Sequence, residues 1–356
     1  MRILDTYCLN YNIGDYALGV GMKNLLRQFL QVDFIGDTNI QGRTFDKYYI
    51  DEVVNKRYDL LVLGGGGIIH GAHWPNGWFW LIDKEFIKRI KIPFIVYGIG
   101  NNYWQTEEIP NRAIEHIIET NKYASFFSVR NDGSYERVVE QFGFEPYEVP
   151  DPGFFVGLNT EYRRPLDKNY IVIQIADDKS DKRYGDICNR SIFIQNLRIV
   201  LQKLIKDYHV VLAPHVFEDI KMSEEIIEGL ENCSIWNFSY YAFDHIQEAI
   251  AYYKFAEFVI SMRGHGQILP IGFSVPVIAL CNHPKHRGLM KKLKMEEYAI
   301  EVTDSFFVDK LCHFIDNIEK NHIDIKENLR VINQDMYNTA CNSFKIIQNN
   351  ILHFTR

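Results

Sequence analysis

An arginine and a histidine stand two positions apart in SMRGHGQILPIG (261–272), directly after the apolar run EFVI. Arginine supplies a permanent planar cation that matches carboxylates and phosphates, and imidazole gives and takes protons near neutral pH. Arg263 and His265 together suit a site that binds an anion and then moves a proton to or from it. Gly264 and Gly266 would let both side chains reach a ligand without crowding. The pattern predicts a strand over EFVISM, a crossing loop at RGHG and a helix from about Gln267.

Residues of similar character recur after other apolar runs. APHVFED brings His215 and Asp219 to a strand end, either as an acid–base pair or as loop hydrogen bonding. SVRNDGSYE delivers Arg130 to another, where a carboxylate or phosphate would be its natural partner. In LGGGGIIHG four glycines, Gly64 to Gly67, follow a strand, and their amides could cradle an anion beside His70. The run lacks the GK[ST] ending of a phosphate loop and is not the GxGxxG of a dinucleotide site. In NYNIGDYAL, Gly14 permits a tight turn and Asp15 is placed to cap the helix that follows.

These residues need elements to position them, and the periodicity supplies those. Apolar runs alternate with amphipathic stretches from RILDTYCL to EPYEVPDPG, which predicts a parallel α/β half. WFWLIDKEFIKRI is one of the predicted helices. Proline, glycine and a basic pair interrupt the pattern from Pro150 to Lys168, and a second series of the same kind runs from YIVIQIA to VPVIAL. The fold class is α/β, with two doubly wound Rossmann-like domains at 1–155 and 156–303 and a helical tail at 304–356 packing back on the first. Ligands of such sheets gather at the carboxyl ends of the strands, so the singled-out side chains should face a shared interdomain space.

Composition narrows the class further. A chain of 356 residues with 47% apolar content buries large cores, and a formal charge of -7 argues against nucleic acid as a partner. Six scattered cysteines without a CxxC pair point to a reduced cytoplasmic protein, and no metal site is expected. No apolar run is long enough to span a bilayer, although peripheral contact with a membrane stays open. The aromatic clusters HWPNGWFW (73–80) and SYYAF (239–243) read either as buried packing or as a platform for a sugar ring.

Taken in order, these motifs resemble the polysaccharide pyruvyl transferase family over most of the chain. The resemblance is carried by N-x-G-D (Asn12, Gly14, Asp15), the glycine run, S-x-R-[ND] with a following serine (Ser128, Arg130, Ser134) and P-D-P (Pro150, Asp151, Pro152). Its strongest part is R-x-H followed by G-x-x-x-P-V-I-A-L and a lysine: Arg263, His265, Gly272, Pro276 and Lys285. Gly264 departs from the family, whose members commonly carry an apolar side chain there.

The resemblance implies a fold similar to GT-B glycosyltransferases, with the acceptor on the first domain and the donor on the second. It implies transfer of the pyruvyl group of phosphoenolpyruvate to two hydroxyls of one sugar in a cell-surface polysaccharide or its precursor. A cyclic ketal forms, phosphate is released, and no metal or organic cofactor is required. On this reading Arg130, Arg263, Lys285, Gly264 and Gly266 hold the donor, and His265, Arg263 and His215 carry the catalysis. Asn12, Gly14, Asp15, Gly65, Gly66 and His70 lie on the acceptor side. A nucleotide-sugar glycosyltransferase of the same architecture and a non-catalytic carbohydrate-binding protein are the alternatives. The sequence leaves open the acceptor sugar, its lipid linkage and the oligomeric state.

Overall fold

The computed structural model describes residues 1–8, 11–40, 45–104 and 107–354. Asn10, the first residue of NYNIGDYAL, and residues 355–356 of the tail lie outside them. Twelve strands run β1 (Arg2–Tyr7), β2 (Phe34–Asn39), β3 (Leu60–Ile69), β4 (Phe94–Asn101), β5 (Phe126–Arg130), β6 (Tyr147–Val149), β7 (Tyr170–Gln174), β8 (His209–Leu212), β9 (Cys233–Ile235), β10 (Val259–Ser261), β11 (Val277–Cys281) and β12 (Ala299–Glu301) among the described residues. They form two parallel six-stranded sheets, ordered β2-β1-β3-β4-β5-β6 and β12-β11-β10-β7-β8-β9. Helices between the strands cover such sheets on both faces, so the inner strands are near-continuous apolar runs with buried residues throughout.

The chain divides into two compact units. The first holds 1–10, 18–158 and 335–356, and the second holds 11–17 and 159–334. Asn12, Gly14 and Asp15, expected with the first half, are thus grouped with the second. The 33-residue helix His322–Phe354 begins in the second unit, where Asn333 Nδ2 donates to Ile271 O (2.7 Å). It ends in the first, where Phe344 stacks on Phe29 (5.0 Å) and packs on Tyr97 (5.3 Å).

The glycine run differs from its expected place. All four glycines lie inside β3 rather than in a loop beyond it. Gly65 and Gly66 take positive φ values of 56° and 80°, and the register against β4 shifts between Gly66 and Ile69. A Cβ on Gly65 would meet Leu18 at 2.6 Å, and one on Gly67 would meet Asn102 at 2.9 Å. Their smallness therefore serves an irregular, closely covered strand, and Gly65 and Gly66 are buried rather than presented to an acceptor. WFWLIDKEFIKRI is helical only over Lys84–Ile87, because Trp78 and Trp80 turn wholly into the core of the first unit.

Asp5 on β1 is fully buried, and neither carboxyl oxygen has a hydrogen-bond partner among the described residues. Burial pushes its carboxyl up to about 8, opposed by Lys23 and reinforced by Asp37. A folded-state value above the unfolded one means that the protonated form favours folding. That contribution is complete below about pH 4 and is lost as pH rises towards 8. In Asp5→Asn, urea unfolding between pH 5 and 8 is expected to lose this slope, which in the wild type is at most roughly 1.4 kcal/mol per pH unit. An unchanged slope would mean that Asp5 ionises in the folded protein at no cost.

Candidate active site

The second unit gathers most of the singled-out residues at the carboxyl ends of β7, β8, β10 and β11. Arg263 follows β10, and the helix Gly264–Gly272 starts directly after it, so His265 occupies the first helical turn rather than a crossing loop. No side chain caps the amino end of this helix. The backbone turn is fixed by Gln174, whose Oε1 accepts from Arg263 N (2.7 Å) and Ser261 Oγ (3.1 Å). Gly266 is required by that turn, because a Cβ there would stand 2.2 Å from Ser261 Oγ. Its expected role in clearing space for a ligand is replaced by one in backbone packing. At Gly264 a Cβ would meet only Lys285 Cε, at 3.9 Å, so a small side chain fits and the departure from the family pattern leaves the geometry intact.

Arg263 is a fixed, buried cation. Its Nε donates to Asp219 Oδ2 (2.8 Å), and its Nη2 donates to Asp219 Oδ1 (2.6 Å) and to Asp178 Oδ1. Burial opposes the charge, but Asp219 and Asp178 outweigh it and raise the guanidinium above its ordinary value. Nη1 is the one amino group with no hydrogen-bond partner among the described residues. Asp178 also accepts from Arg183 Nη2 (2.9 Å), and Arg183 Nη1 donates to Asn282 Oδ1 (3.1 Å). Burial would raise the Asp178 carboxyl, but Arg263 and Arg183 reverse this and hold it at about 2. With Lys285 beside Gly264, three cations, Arg263, Arg183 and Lys285, gather at these strand ends with the carboxylates of Asp178 and Asp219.

His265 receives the start of the chain. The helix Ile13–Phe29 opens in this unit, with Ile13 N donating to His215 O (3.0 Å). Asn12 caps it, its Oδ1 accepting from Gly14 N (2.8 Å). Asp15, expected as the cap, sits in the first turn instead. A Cβ on Gly14 would fall 2.4 Å from His265 Nδ1 and 2.7 Å from His265 Cβ, so glycine makes the room the imidazole occupies. Gly14→Ala is expected to push the ring aside, lowering turnover about 10²-fold and stability by roughly 1–3 kcal/mol because His265 Cβ cannot swing clear, as checked by steady-state kinetics beside urea unfolding. Unchanged turnover would remove Gly14 from the account.

His215 is not placed as a proton carrier. It is wholly buried, its Nε2 lies 2.6 Å from Tyr253 Oη, and its ring stacks on Trp236 at 6.0 Å. Burial, with Arg263 and His265 nearby, holds its imidazole well below the ordinary range and therefore neutral. Asp219 ties it to the arginine, accepting at Oδ2 from His215 N (3.1 Å).

In the first unit, Arg130 is likewise held by two carboxylates, with Nε to Asp132 Oδ2 (2.6 Å) and Nη1 to Asp151 Oδ2 (3.1 Å). Asp132 Oδ1 accepts from Ser134 Oγ (2.5 Å), and Ser134 Oγ accepts from Asn101 N (2.9 Å). A Cβ on Gly100 would collide with the Arg130 guanidinium at 2.4 Å. The S-x-R-N-D-x-S and P-D-P residues thus lock the ends of β4, β5 and β6 together, and within that network Arg130 keeps Nη2 without a partner among the described residues. His70 packs against Phe79 (5.7 Å) and Tyr103 (5.8 Å) in the same unit.

The sequence reading missed Gln174, Asp178, Arg183 and Tyr253. The acidic pair Asp177–Asp178 directly after the apolar run YIVIQIA was the available signal for the second and third.

The fold defined by the two sheets is that of two-domain α/β proteins of the GT-B type with a helical carboxyl-terminal stretch. UDP-GlcNAc 2-epimerase from Neisseria meningitidis, bound to UDP-GlcNAc, is similar over 99% of this chain and 100% of that one, with a TM-score of 0.55 at 12% identity. The 2-epimerase from Methanocaldococcus jannaschii covers 89% and 92% (TM-score 0.54, 12% identity). The glycosyltransferase SnogD from Streptomyces nogalater covers 98% and 99% (TM-score 0.50, 12% identity). No curated protein sequence matches the chain. A sequence model of polysaccharide pyruvyl transferases matches residues 12–284, and the chain belongs to that family. No helix among the described residues is long and apolar enough to cross a membrane.

Proposed function

We propose that the protein transfers the pyruvyl group of phosphoenolpyruvate onto two hydroxyls of one sugar in a polysaccharide or its precursor. The observation that carries this reading is the placement of Arg263, His265 and Lys285 on neighbouring strand ends of the second unit, with the guanidinium fixed and one of its amino groups unclaimed. A small molecule bearing a phosphate and a carboxylate complements this set. Arg263 Nη1 and Lys285 hold the anion, and the amino end of the helix Gly264–Gly272 adds its partial positive charge.

His265 delivers a proton to the methylene carbon of the donor, and cationic character develops at the neighbouring carbon. One sugar hydroxyl attacks that carbon and loses its proton. The second then displaces phosphate, breaking the carbon–oxygen bond and closing the ketal. Of the two hydroxyl protons given up, one balances the new methyl group and the other leaves with phosphate. His215, neutral and buried, acts as a positioning residue behind Arg263 rather than as a proton carrier.

The test is product release. Phosphate released from phosphoenolpyruvate only when a saccharide acceptor is present supports the proposal. Nucleoside diphosphate released from a sugar nucleotide would favour a glycosyltransferase, and saccharide binding without any release would favour a binding protein.

A further inference from the structure

Two arginines of the second unit converge on one carboxylate oxygen. Arg183, on the short helix Ser180–Tyr184 after β7, directs Nη2 to Asp178 Oδ1 at 2.9 Å, and Arg263, after β10, directs its own Nη2 to the same atom. Like charges held this close repel each other unless an anion stands between them. Burial and Arg263 both press the Arg183 guanidinium below its ordinary value, and Asp178 opposes them.

Neither arginine depends on the Asp178 carboxylate for its position. Arg263 is gripped separately at Nε and Nη2 by Asp219, whose side chain is fully buried. Arg183 is gripped separately by the Asp178 backbone, its Nε donating to Asp178 O (2.7 Å), and by Asn282 Oδ1, which accepts from Nη1 (3.1 Å). The chain just before is pinned as well. Asp177 N donates to Asp219 Oδ1 (3.1 Å), and the Asp177 carboxylate accepts from Arg190 Nε (2.8 Å) and Nη2 (2.7 Å). The Asp178 side chain, by contrast, is 27% exposed, and its Oδ2 has no partner among the described residues. Turning it into water about its Cα–Cβ bond leaves both guanidinium groups in place, with room for one carboxylate between them.

With Asp178 in that slot, its charge and that of Asp219 cancel those of Arg183 and Arg263, so a further anion gains little from the pair. With the side chain turned out, its charge is screened by water and the pair attracts a replacement of the same shape. We infer that the Asp178 carboxylate is a placeholder, seated in the free protein where the donor's carboxylate binds, and that the donor displaces it. This rests on the proposed reaction for the identity of the donor and adds an orientation. The carboxylate lies between Arg183 and Arg263, and the phosphate is left to Arg263 Nη1 and Lys285. A placeholder weakens every carboxylate ligand by the cost of displacing it, but it keeps both arginines ordered before the donor arrives.

The test titrates the full chain with phosphoenolpyruvate, pyruvate and methyl phosphate, read by ligand-observed NMR, in the wild type, Asp178→Ala and Asp178→Asn, with urea unfolding to confirm the fold. Asp178→Ala is expected to bind phosphoenolpyruvate and pyruvate roughly tenfold more tightly, and methyl phosphate, which has no carboxylate, less than about threefold more tightly. Asp178→Asn keeps the shape and one acceptor oxygen; it is expected to fall between, and it carries the test should the alanine variant not fold. Unchanged or weaker carboxylate binding in a folded variant would make Asp178 a structural clasp, and an equal gain for methyl phosphate would reduce it to a general field effect. Either result overturns the placeholder. A wild type that releases no phosphate from phosphoenolpyruvate with any saccharide, while the variants still gain affinity for pyruvate, would instead overturn the proposed reaction and leave the placeholder standing.

Discussion

His265→Ala is expected to lower pyruvyl transfer by about 10²–10⁴-fold while changing the affinity for phosphoenolpyruvate only a few-fold. The reason is a division of labour on one short helix. Arg263 at its amino cap is a permanent charge, made rigid by four hydrogen bonds that engage its Nε, its Nη2 and its own backbone amide. In the proposed reaction it faces the same anion before and during transfer, so its expected contribution is to binding. His265, in the first turn of the same helix, is the group to which the proposed reaction assigns the proton transfer. Its place is defended from the opposite side by the missing side chain of Gly14. Measuring donor affinity by calorimetry and transfer by phosphate release separates the two effects. Equal losses in both would make His265 a binding group and require another proton carrier.

Asp219→Ala is expected to be the most damaging single change to stability, on the order of 3–5 kcal/mol by urea unfolding. The residue is fully buried and accepts from Arg263 Nε and Nη2, from the amides of His215 and Val216 at Oδ2, and from Asp177 N at Oδ1 (3.1 Å). Its removal leaves a buried guanidinium short of its main counter-charge and three amides short of an acceptor. Asp178 is partly exposed and also serves Arg183, so it compensates only in part. Asp219→Asn keeps the shape and some of the bonds, and it is expected to fall between alanine and wild type. A loss under about 1 kcal/mol in the alanine variant would show that water or Asp178 replaces the carboxylate, and that Arg263 is not held as described.

The arrangement shows how a chain with a formal charge of -7 holds buried guanidinium donors in fixed positions in each unit. Arg130 and Arg263 are each clasped by two carboxylates, and each retains one amino group without a partner among the described residues. The clasp cancels the positive charge, and at Arg130 outweighs it, but it fixes the direction of the remaining donor, which favours a ligand of defined geometry over diffuse attraction.

The central strands were legible in the sequence because burial on both faces leaves uninterrupted apolar runs such as YIVIQIA and VPVIAL. β2 and β12 were not, because both stand at sheet edges. β2 carries Gly36 and Asp37 in a half-exposed FIGDTN, and β12 is only three residues long. The glycine run misled for a related reason. Local propensity assigns four glycines to a loop, but the packing of Leu18 and Asn102 requires strand residues without side chains.

At the site, residue types at strand ends revealed Arg263, His265, His215 and Asp219, yet not their division of roles. His215 and His265 look alike in sequence. Only tertiary packing buries the first against Trp236 and Tyr253 and sets the second in the opening turn of a helix. The network through Gln174, Asp178 and Arg183 joins residues up to 99 positions apart and has no local signature.

The most direct test of the proposed reaction is transfer carried out in heavy water with phosphoenolpyruvate and a saccharide acceptor, followed by NMR and mass analysis of the product. Protonation of the methylene carbon predicts a ketal whose methyl group carries one solvent deuterium and whose mass, after back-exchange of its hydroxyls, exceeds the acceptor's by pyruvic acid less one water plus that one deuterium-for-hydrogen increment, with phosphate released in equal amount. A saccharide product lacking that deuterium, or phosphate released without any pyruvylated sugar, would contradict it.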